Sequence, residues 1–310
     1  MKMKAVICTK YGPPEVLKMQ EVAKPVPEDG EILVRIIASA VNSADVRVRG
    51  LLIGGFMRIL LRLALGFSKP RKPILGTVFA GIIESKGDKV SKFNTGDRVF
   101  GMTGFDFGTY AEYIAVKASG NISLMPQNAS FDEAVALIFG GQTAIYFLDK
   151  LKVAQKDKPK VLIIGATGSV GTAAVQIAKH YRADITAVGS SGGLPVIEQM
   201  GISKFILYDK GELEQTTTKF DIIFDASGKV SKSLCKKLLE KGGIYKTVGG
   251  LDFASETLQQ LELIKDLCEK GAYKAVIDKT FPLDKIGEAH RYVELGRKKG
   301  NVVLKISEVQ

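Results

Sequence analysis

Tryptophan is absent, and only two histidines and three cysteines occur in 310 residues. Cys8, Cys235 and Cys268 are odd in number, far apart and in no Cys-x-x-Cys pair. They offer neither a disulfide framework nor a zinc cage, and each reads as a reduced core or surface thiol. His180 and His290 fall on predicted helices remote from each other, with no second ligand at metal spacing, and read as surface or packing residues. No run approaches the ~20 uninterrupted apolar residues of a membrane span, and the start MKMKAVICTKYG lacks the apolar core of a signal peptide. A cytoplasmic protein is expected. Acids are in deficit, 33 against 44 bases, for a net charge of +11. That balance draws nucleic acid, anionic lipid or an anionic cofactor. Apart from short clusters at Lys69, Arg71 and Lys72 and at Arg297, Lys298 and Lys299 the charges are dispersed, and no aromatics interleave with them to stack bases. The pattern fits a solvated surface that steers a phosphate-rich ligand better than a nucleic-acid site.

What is present is the composition of a soluble globular protein, 45% hydrophobic and 25% charged, long enough for two domains. The first third is strand-rich: KAVICT, ILVRIIASAV, GTVFAGIIES and YAEYIAV are β-branched or alternating, and KVSKFNTGDRVFG places a turn at Asn94–Asp97 between two strand-like pieces. Near Asp132 the character changes. Ser130, with Glu133 three residues on, is a capping candidate for a helix read as broken near Gly140 and Gly141. From Lys160 to Tyr245 strands (VLIIG, ITAVGS, KFILYD, DIIFDAS, GIYKTV) alternate with helical stretches such as LPVIEQMG and SKSLCKKLLEKG. Alternation of this kind implies an α/β unit, a parallel sheet with helices on both faces. A helix from about Ser255 to Lys270 follows, then strand, helix and strand to the end.

The most informative segment is VLIIGATGSVG at 161–171, running into TAAVQIAKHY. An apolar strand, glycines at 165, 168 and 171 and an apolar-faced helix are the layout of a dinucleotide-binding turn. Gly165 makes the turn off the strand, Gly168 lets backbone approach a pyrophosphate, and Gly171 lets the helix lie close to the sheet. The helix N-terminus then presents its unpaired N–H groups and positive dipole end to the phosphates.

Taken in order, KAVICTKYGPPEVLKMQEV, VNSADVRVRG (Asn-x-x-Asp, then Arg-x-Gly), PILGTVFAGIIESKGDKVSKFNTGDRVFG, GTYAEY, the nucleotide loop, GGIYKTVGG and FPLDKIGEAHRYVELGRKKGNVVL carry a resemblance over nearly the whole chain. The chain resembles the zinc-independent quinone oxidoreductase branch of the medium-chain dehydrogenase/reductase superfamily. The resemblance implies a GroES-like β-rich catalytic domain built from residues 1–124 and 274–310, a Rossmann doubly wound parallel-sheet domain at 125–273, and an active site in the cleft between them. Zinc-dependent relatives have a cysteine where this chain has Asn42 and Ser43 and a His-Glu pair where it has Gly76 and Thr77. Their four-cysteine structural lobe is missing here too. A site without a Lewis acid suits substrates that already accept hydride readily, such as quinones and carbonyl-conjugated alkenes.

By resemblance Asn42 and Asp45 are the catalytic-site candidates. The Asn42 amide either donates to a substrate oxygen or is a turn residue bonding its own backbone. Asp45 orders the loop, and Arg49 holds Asp45 or a phosphate. Coenzyme candidates are Gly165, Ala166, Thr167, Gly168, Ser169, Val170 and Gly171 of the turn, with Thr143, Ser190, Ser191 and Tyr208. NAD-specific relatives carry an acid at the end of the second strand, and none stands between Ile185 and Pro195 here, so NADP(H) is expected. Gly192 departs from that pattern, since relatives usually offer lysine or arginine there.

Two further departures concern partners. Between Gly250 and the following helix relatives carry one more strand, which often pairs across a dimer; either that strand is lost, in which case a weakened or replaced dimer is expected, or a stretch is absent from the sequence. The insertion GGFMRILLRLALGFSKPRKP sets Arg58 and Arg62 four apart on an apolar helix. It reads as a segment packed over the cleft, with membrane-surface contact through residues 54–72 as the alternative. The functional expectation is an NADPH-dependent, metal-free reductase of quinones or electron-poor carbonyl compounds. Its alternatives are a non-catalytic NADP(H)-binding redox sensor or nucleic-acid binder and, among enzymes, an enoyl reductase, whose tyrosine acid has no counterpart in RGLLIGG.

Overall fold

A computed structural model describes residues 1–52, 55–250 and 252–308. Ile53 and Gly54 of the RGLLIGG stretch and Leu251 lie outside the described residues, as do the side chains of Phe56, Met57, Leu60 and Leu61 in the insertion.

The chain forms two compact units: Met1–Ile138 together with Ile277–Gln310, and Phe139–Val276. In the first, Lys2–Cys8 pairs antiparallel with Leu17–Ala23, and the main sheet runs in the order Ile277–Pro282, Asn301–Lys305, Glu31–Val41, Val78–Lys86, Arg98–Met102 and Ile122–Leu124, with Tyr113–Lys117 also paired to Glu31–Val41. The two chain ends meet where Val302 stands opposite Val41 and Leu304 opposite Ser39. Ile32, Val34, Ile36, Phe79, Phe93 and Val99 fill one core; Val6, Val41, Leu75, Tyr110, Ile286 and Val302 belong to another. In the insertion, Gly55–Leu65 is helical; Leu65 is buried in that second core, whereas Ile59 and Leu63 are exposed.

The second unit is a five-stranded parallel sheet in the order Phe205–Leu207, Asp184–Gly189, Lys160–Ile164, Phe220–Asp225 and Leu239–Thr247. The order reverses beside Lys160–Ile164, the central strand, and that switch point is where open α/β sheets receive ligands at their carboxyl ends. Residues 252–257, between the edge strand Leu239–Thr247 and the helix Leu258–Glu269, carry no strand.

Three local expectations need correction. The helix Phe131–Lys150 is unbroken at Gly140 and Gly141. A Cβ at Gly140 would stand 2.4 Å from the Ser169 carbonyl oxygen, and one at Gly141 2.6 Å from Ile264, so both glycines serve close packing rather than a break. Its start is as read, with Ser130 and Glu133 bonding reciprocally. The stretch SKSLCKKLLEKG leaves the helix at Lys237, because the Leu238 carbonyl is taken by Phe220 N–H at 2.9 Å and the chain from Leu239 joins the sheet edge. Finally, KVSKF before the Asn94–Asp97 turn is not a strand, although the turn closes through Asp97 N–H to Asn94 O at 3.1 Å.

Candidate functional site

The glycine-rich turn after the strand Lys160–Ile164 has a backbone that its glycines allow. Gly165 has φ +74°, and Gly165 and Ala166 both donate to the Val188 carbonyl at 3.0 Å, pinning the turn to the neighbouring strand. Gly168 precedes the helix Ser169–His180 as its N-cap residue and has no side chain with which to cap it. The first N–H groups of an α-helix have no acceptor within the helix and point out of its N-terminus. At Gly171 a Cβ would meet Gly165 O at 2.0 Å and Ala166 Cα at 2.7 Å. At Gly168 the nearest atom would be 3.6 Å away, ordinary contact. The protein itself thus demands glycine at 171 but not at 168, which leaves open backbone at 168 for a ligand to use. Thr167 lies against Gly189 and Gly193, whose added Cβ atoms would come within 3.1 and 2.6 Å of its methyl. Ser169 is buried and Val170 half-buried, and Thr143 is buried three residues beyond Gly140 on the helix that packs against Ser169.

At the end of the second strand the structure brings together Ser190, Ser191 and the segment from Tyr208. The parallel pair Leu207↔Gly189 sets this, because equal steps beyond it carry Asp209 alongside Ser191. Ser191 donates to Asp209 twice, N–H to Oδ1 at 2.9 Å and Oγ to Oδ2 at 2.5 Å. Those two donations hold the Asp209 carboxyl below its ordinary range. Tyr208 is 54% exposed. An acid absent from residues 185–195 is supplied from the next strand. Sequence reading missed Asp209; the parallel register was the signal that would have found it.

Asp225, at the end of the adjoining strand, was also missed. It is fully buried and accepts from Ser227 N–H and Gly228 N–H at 3.0 Å each, from Ser227 Oγ at 2.6 Å and from Thr247 Oγ1 at 3.1 Å. It fixes the 226–228 turn, and a Cβ on Gly165 would stand 3.0 Å from Ser227 Cβ. Hydrogen bonds to one buried carboxylate thereby tie down the chain beside the glycine-rich turn.

In the first unit Asn42 ends the strand Glu31–Val41 and caps the helix Ser43–Gly50. Its Oδ1 accepts from Ala44 N–H at 2.8 Å and Asp45 N–H at 3.0 Å, and Asp45 Oδ2 accepts from Asn42 N–H at 2.9 Å, a reciprocal capping box. The Asn42 amide nitrogen donates to Thr77 Oγ1 at 2.8 Å. The carbonyl end of Asn42 therefore bonds its own backbone, and its NH₂ faces Thr77. Among the described residues Arg49 does not pair with Asp45. It is fully buried and pairs with Glu294 of the helix Ile286–Glu294.

Around these residues lies a buried polar cluster. His290 is buried with its ring edge-on to Tyr110, centroids 5.7 Å apart, and neither ring nitrogen has a hydrogen-bond partner among the described residues. Burial, helped by the Arg49 charge, pushes His290 down to about 3 from 6.5. Burial raises Asp45 to about 7 from 3.8, against the hydrogen bond that its carboxylate accepts from Asn42 N–H. The two shifts oppose each other in folding. Between about pH 4 and 6.5 the folded chain holds Asp45 protonated and the unfolded chain does not, so its contribution is lost as pH rises; His290 is neutral folded and charged unfolded, so its contribution is lost as pH falls. Their slopes cancel in this window. Asp45→Asn leaves His290 alone, and the difference in unfolding free energy between variant and unmodified protein is expected to rise by about 1.4 kcal/mol per pH unit from about pH 4 to 6.5, read by urea denaturation. A pH-independent difference would show that the pair does not titrate this way.

Cys8, Cys235 and Cys268 are all buried and none is in a disulfide among the described residues, and burial raises the Cys8 and Cys235 thiols to about 11. His180 is exposed at a helix end. Among the described residues no group of three or more His, Cys, Asp or Glu side chains could hold a metal ion, and no helix is long and apolar enough to cross a membrane.

Comparisons with known proteins agree with this architecture. Residues 28–127 match the family model described as alcohol dehydrogenase GroES-like domain, and residues 169–273 and 251–304 match two described as zinc-binding dehydrogenase. The chain is 31% identical to 2-methylene-furan-3-one reductase of Solanum lycopersicum, covering 98% of this chain and 79% of that protein. It is 30% identical to quinone oxidoreductase of Mus musculus, covering 97% of each. The solved quinone oxidoreductase of Coxiella burnetii superposes with a TM-score of 0.82 at 24% identity, over 99% of this chain and 100% of that one.

Proposed function

The chain belongs to the quinone oxidoreductase branch of the medium-chain dehydrogenase/reductase superfamily, with a GroES-like domain and a Rossmann-type parallel sheet, and on that premise we propose that it is an NADPH-dependent, metal-free reductase of quinones and carbonyl-conjugated alkenes. The observation that carries the nucleotide part is the contrast between Gly171, which this protein's own packing requires, and Gly168, which it leaves open. The open backbone at 168 and the helix N-terminus beside it suit a pyrophosphate. Bound there, the nicotinamide coenzyme supplies the hydride.

Residues of this chain would do the rest. The turn 165–169 orients the coenzyme, Thr143 adds a buried hydroxyl near it, and Ser190, Ser191 and Tyr208 receive the adenosine 2′-phosphate. Asn42 offers its remaining amide N–H to a substrate oxygen, and Asp45 holds that amide in place through the capping box. The names of the tomato and mouse relatives support an enone or quinone acceptor. Zinc does not suit the residues at the family's ligand positions. The Asn42 carbonyl is spent on two backbone donors, and Gly76, at φ +87°, has no room for a ligating side chain, since a Cβ would meet Thr109 Oγ1 at 2.3 Å. A cytoplasmic location accompanies this reading.

The coenzyme assignment predicts that Ser190→Ala and Tyr208→Phe each lower the NADPH-over-NADH preference roughly three- to tenfold, each contact being worth about 1.5–3 kcal/mol before solvent screening. The loss is expected in NADPH affinity rather than maximal rate, in steady-state kinetics with both coenzymes. Equal or better catalytic efficiency with NADH in the unmodified protein would defeat the assignment.

A further inference from the structure

Ser191 is the one residue of the proposed 2′-phosphate subsite whose donors are already committed. Its backbone N–H and its hydroxyl both go to the carboxylate of Asp209, at 2.9 and 2.5 Å. That carboxylate is an anion bound by the same kind of donors that a phosphate needs. The pair is exposed, so ligands can reach it. Gly192 adds no positive charge, and the neighbouring cation, Lys210, follows Asp209 in sequence and helps keep it ionised.

We propose that Asp209 is the specificity-determining residue of the coenzyme site: by holding both donors of Ser191 it competes with the adenosine 2′-phosphate for them, and so limits how strongly this chain favours NADPH over NADH. The inference rests on the coenzyme reading above and adds a repulsive element to it. Selectivity is a difference of affinities, and a carboxylate beside the subsite repels only the coenzyme that carries a 2′-phosphate. NADPH must draw Ser191 away from Asp209 and tolerate a second negative group next to its phosphate. NADH meets neither cost, because its ribose carries a hydroxyl that an acid can accept from.

Asp209→Asn keeps the size of the side chain, removes its charge and lies on the surface, so the fold is not at stake. Dissociation constants for NADPH, NADH, adenosine 2′,5′-bisphosphate and 5′-AMP are measured by calorimetry for the unmodified protein and for Asp209→Asn. The expected result is about tenfold tighter binding of NADPH and of the bisphosphate, with NADH and 5′-AMP changed less than threefold. In a Ser191→Ala background the same substitution is expected to gain markedly less, because the two residues act as a pair. An unmoved NADPH/NADH ratio, an equal shift of all four ligands, or a full tenfold gain without the Ser191 hydroxyl would each overturn the inference. The ranking of coenzymes by the unmodified protein tests the coenzyme reading separately, since Asp209→Asn shifts the ratio whichever coenzyme leads.

Discussion

Gly171→Ala is expected to destabilise the nucleotide-binding unit by about 3 kcal/mol or more and to abolish coenzyme binding. The cause is steric. A methyl at 171 would stand 2.0 Å from the Gly165 carbonyl oxygen and 2.7 Å from Ala166 Cα, both backbone atoms of the turn that precedes the helix. Relief requires moving the helix off the sheet or the turn off the strand, and either breaks the hydrogen bonds that pin Gly165 and Ala166 to Val188. Gly168→Ala is the informative control. Its Cβ would meet nothing closer than 3.6 Å, so stability should change by about 1 kcal/mol or less, while NADPH affinity falls at least about tenfold as the methyl enters the space a pyrophosphate would use. Chemical denaturation and coenzyme titration on the two variants separate these effects. Unimpaired NADPH binding by Gly168→Ala would remove the turn from the coenzyme site.

Glu294→Ala is expected to destabilise the first unit by about 3 kcal/mol, the low end of the range for breaking a buried ion pair. Arg49 is fully buried, and its Nε and Nη1 have no hydrogen-bond partner among the described residues, so Glu294 is its counter-charge. Glu294 is itself 29% exposed, which lets water soften the loss. The charge left behind also faces His290, already held neutral in part by the same guanidinium. Replacing both partners, Arg49→Met with Glu294→Gln, should recover most of the stability, since the cost lies in stranding a charge rather than in lacking a bridge. Urea denaturation of the single and double variants gives the comparison. If the double variant is as unstable as Glu294→Ala, packing of the arginine stem rather than its charge is what matters.

The elements legible from sequence were those whose cause is local. The strand, three glycines and apolar helix face of 161–181 belong to one contiguous pattern, and so does the Ser130–Glu133 cap. Asn42 and Asp45 were visible as a pair through the family motif Asn-x-x-Asp, and sequence alone had no means of choosing between a substrate contact and a backbone bond for Asn42; the capping box came from the structure. What was not legible depends on residues distant in the chain. Gly140 and Gly141 look like helix breakers until Ser169 and Ile264 are placed against them. Arg49 finds its partner 245 residues away. Asp209 comes beside Ser191 of the proposed coenzyme subsite through strand register, which a search confined to residues 185–195 could not contain.

The central claim, a reductase that uses NADPH without metal, is tested most directly by steady-state NADPH oxidation with 1,4-naphthoquinone and with but-3-en-2-one, after prolonged chelation and with zinc determined on the same sample. The account predicts saturable turnover with at least one acceptor, undiminished by the chelator and without stoichiometric zinc. NADPH binding without turnover on either acceptor, or turnover that vanishes on chelation and returns with one zinc per chain, would contradict it.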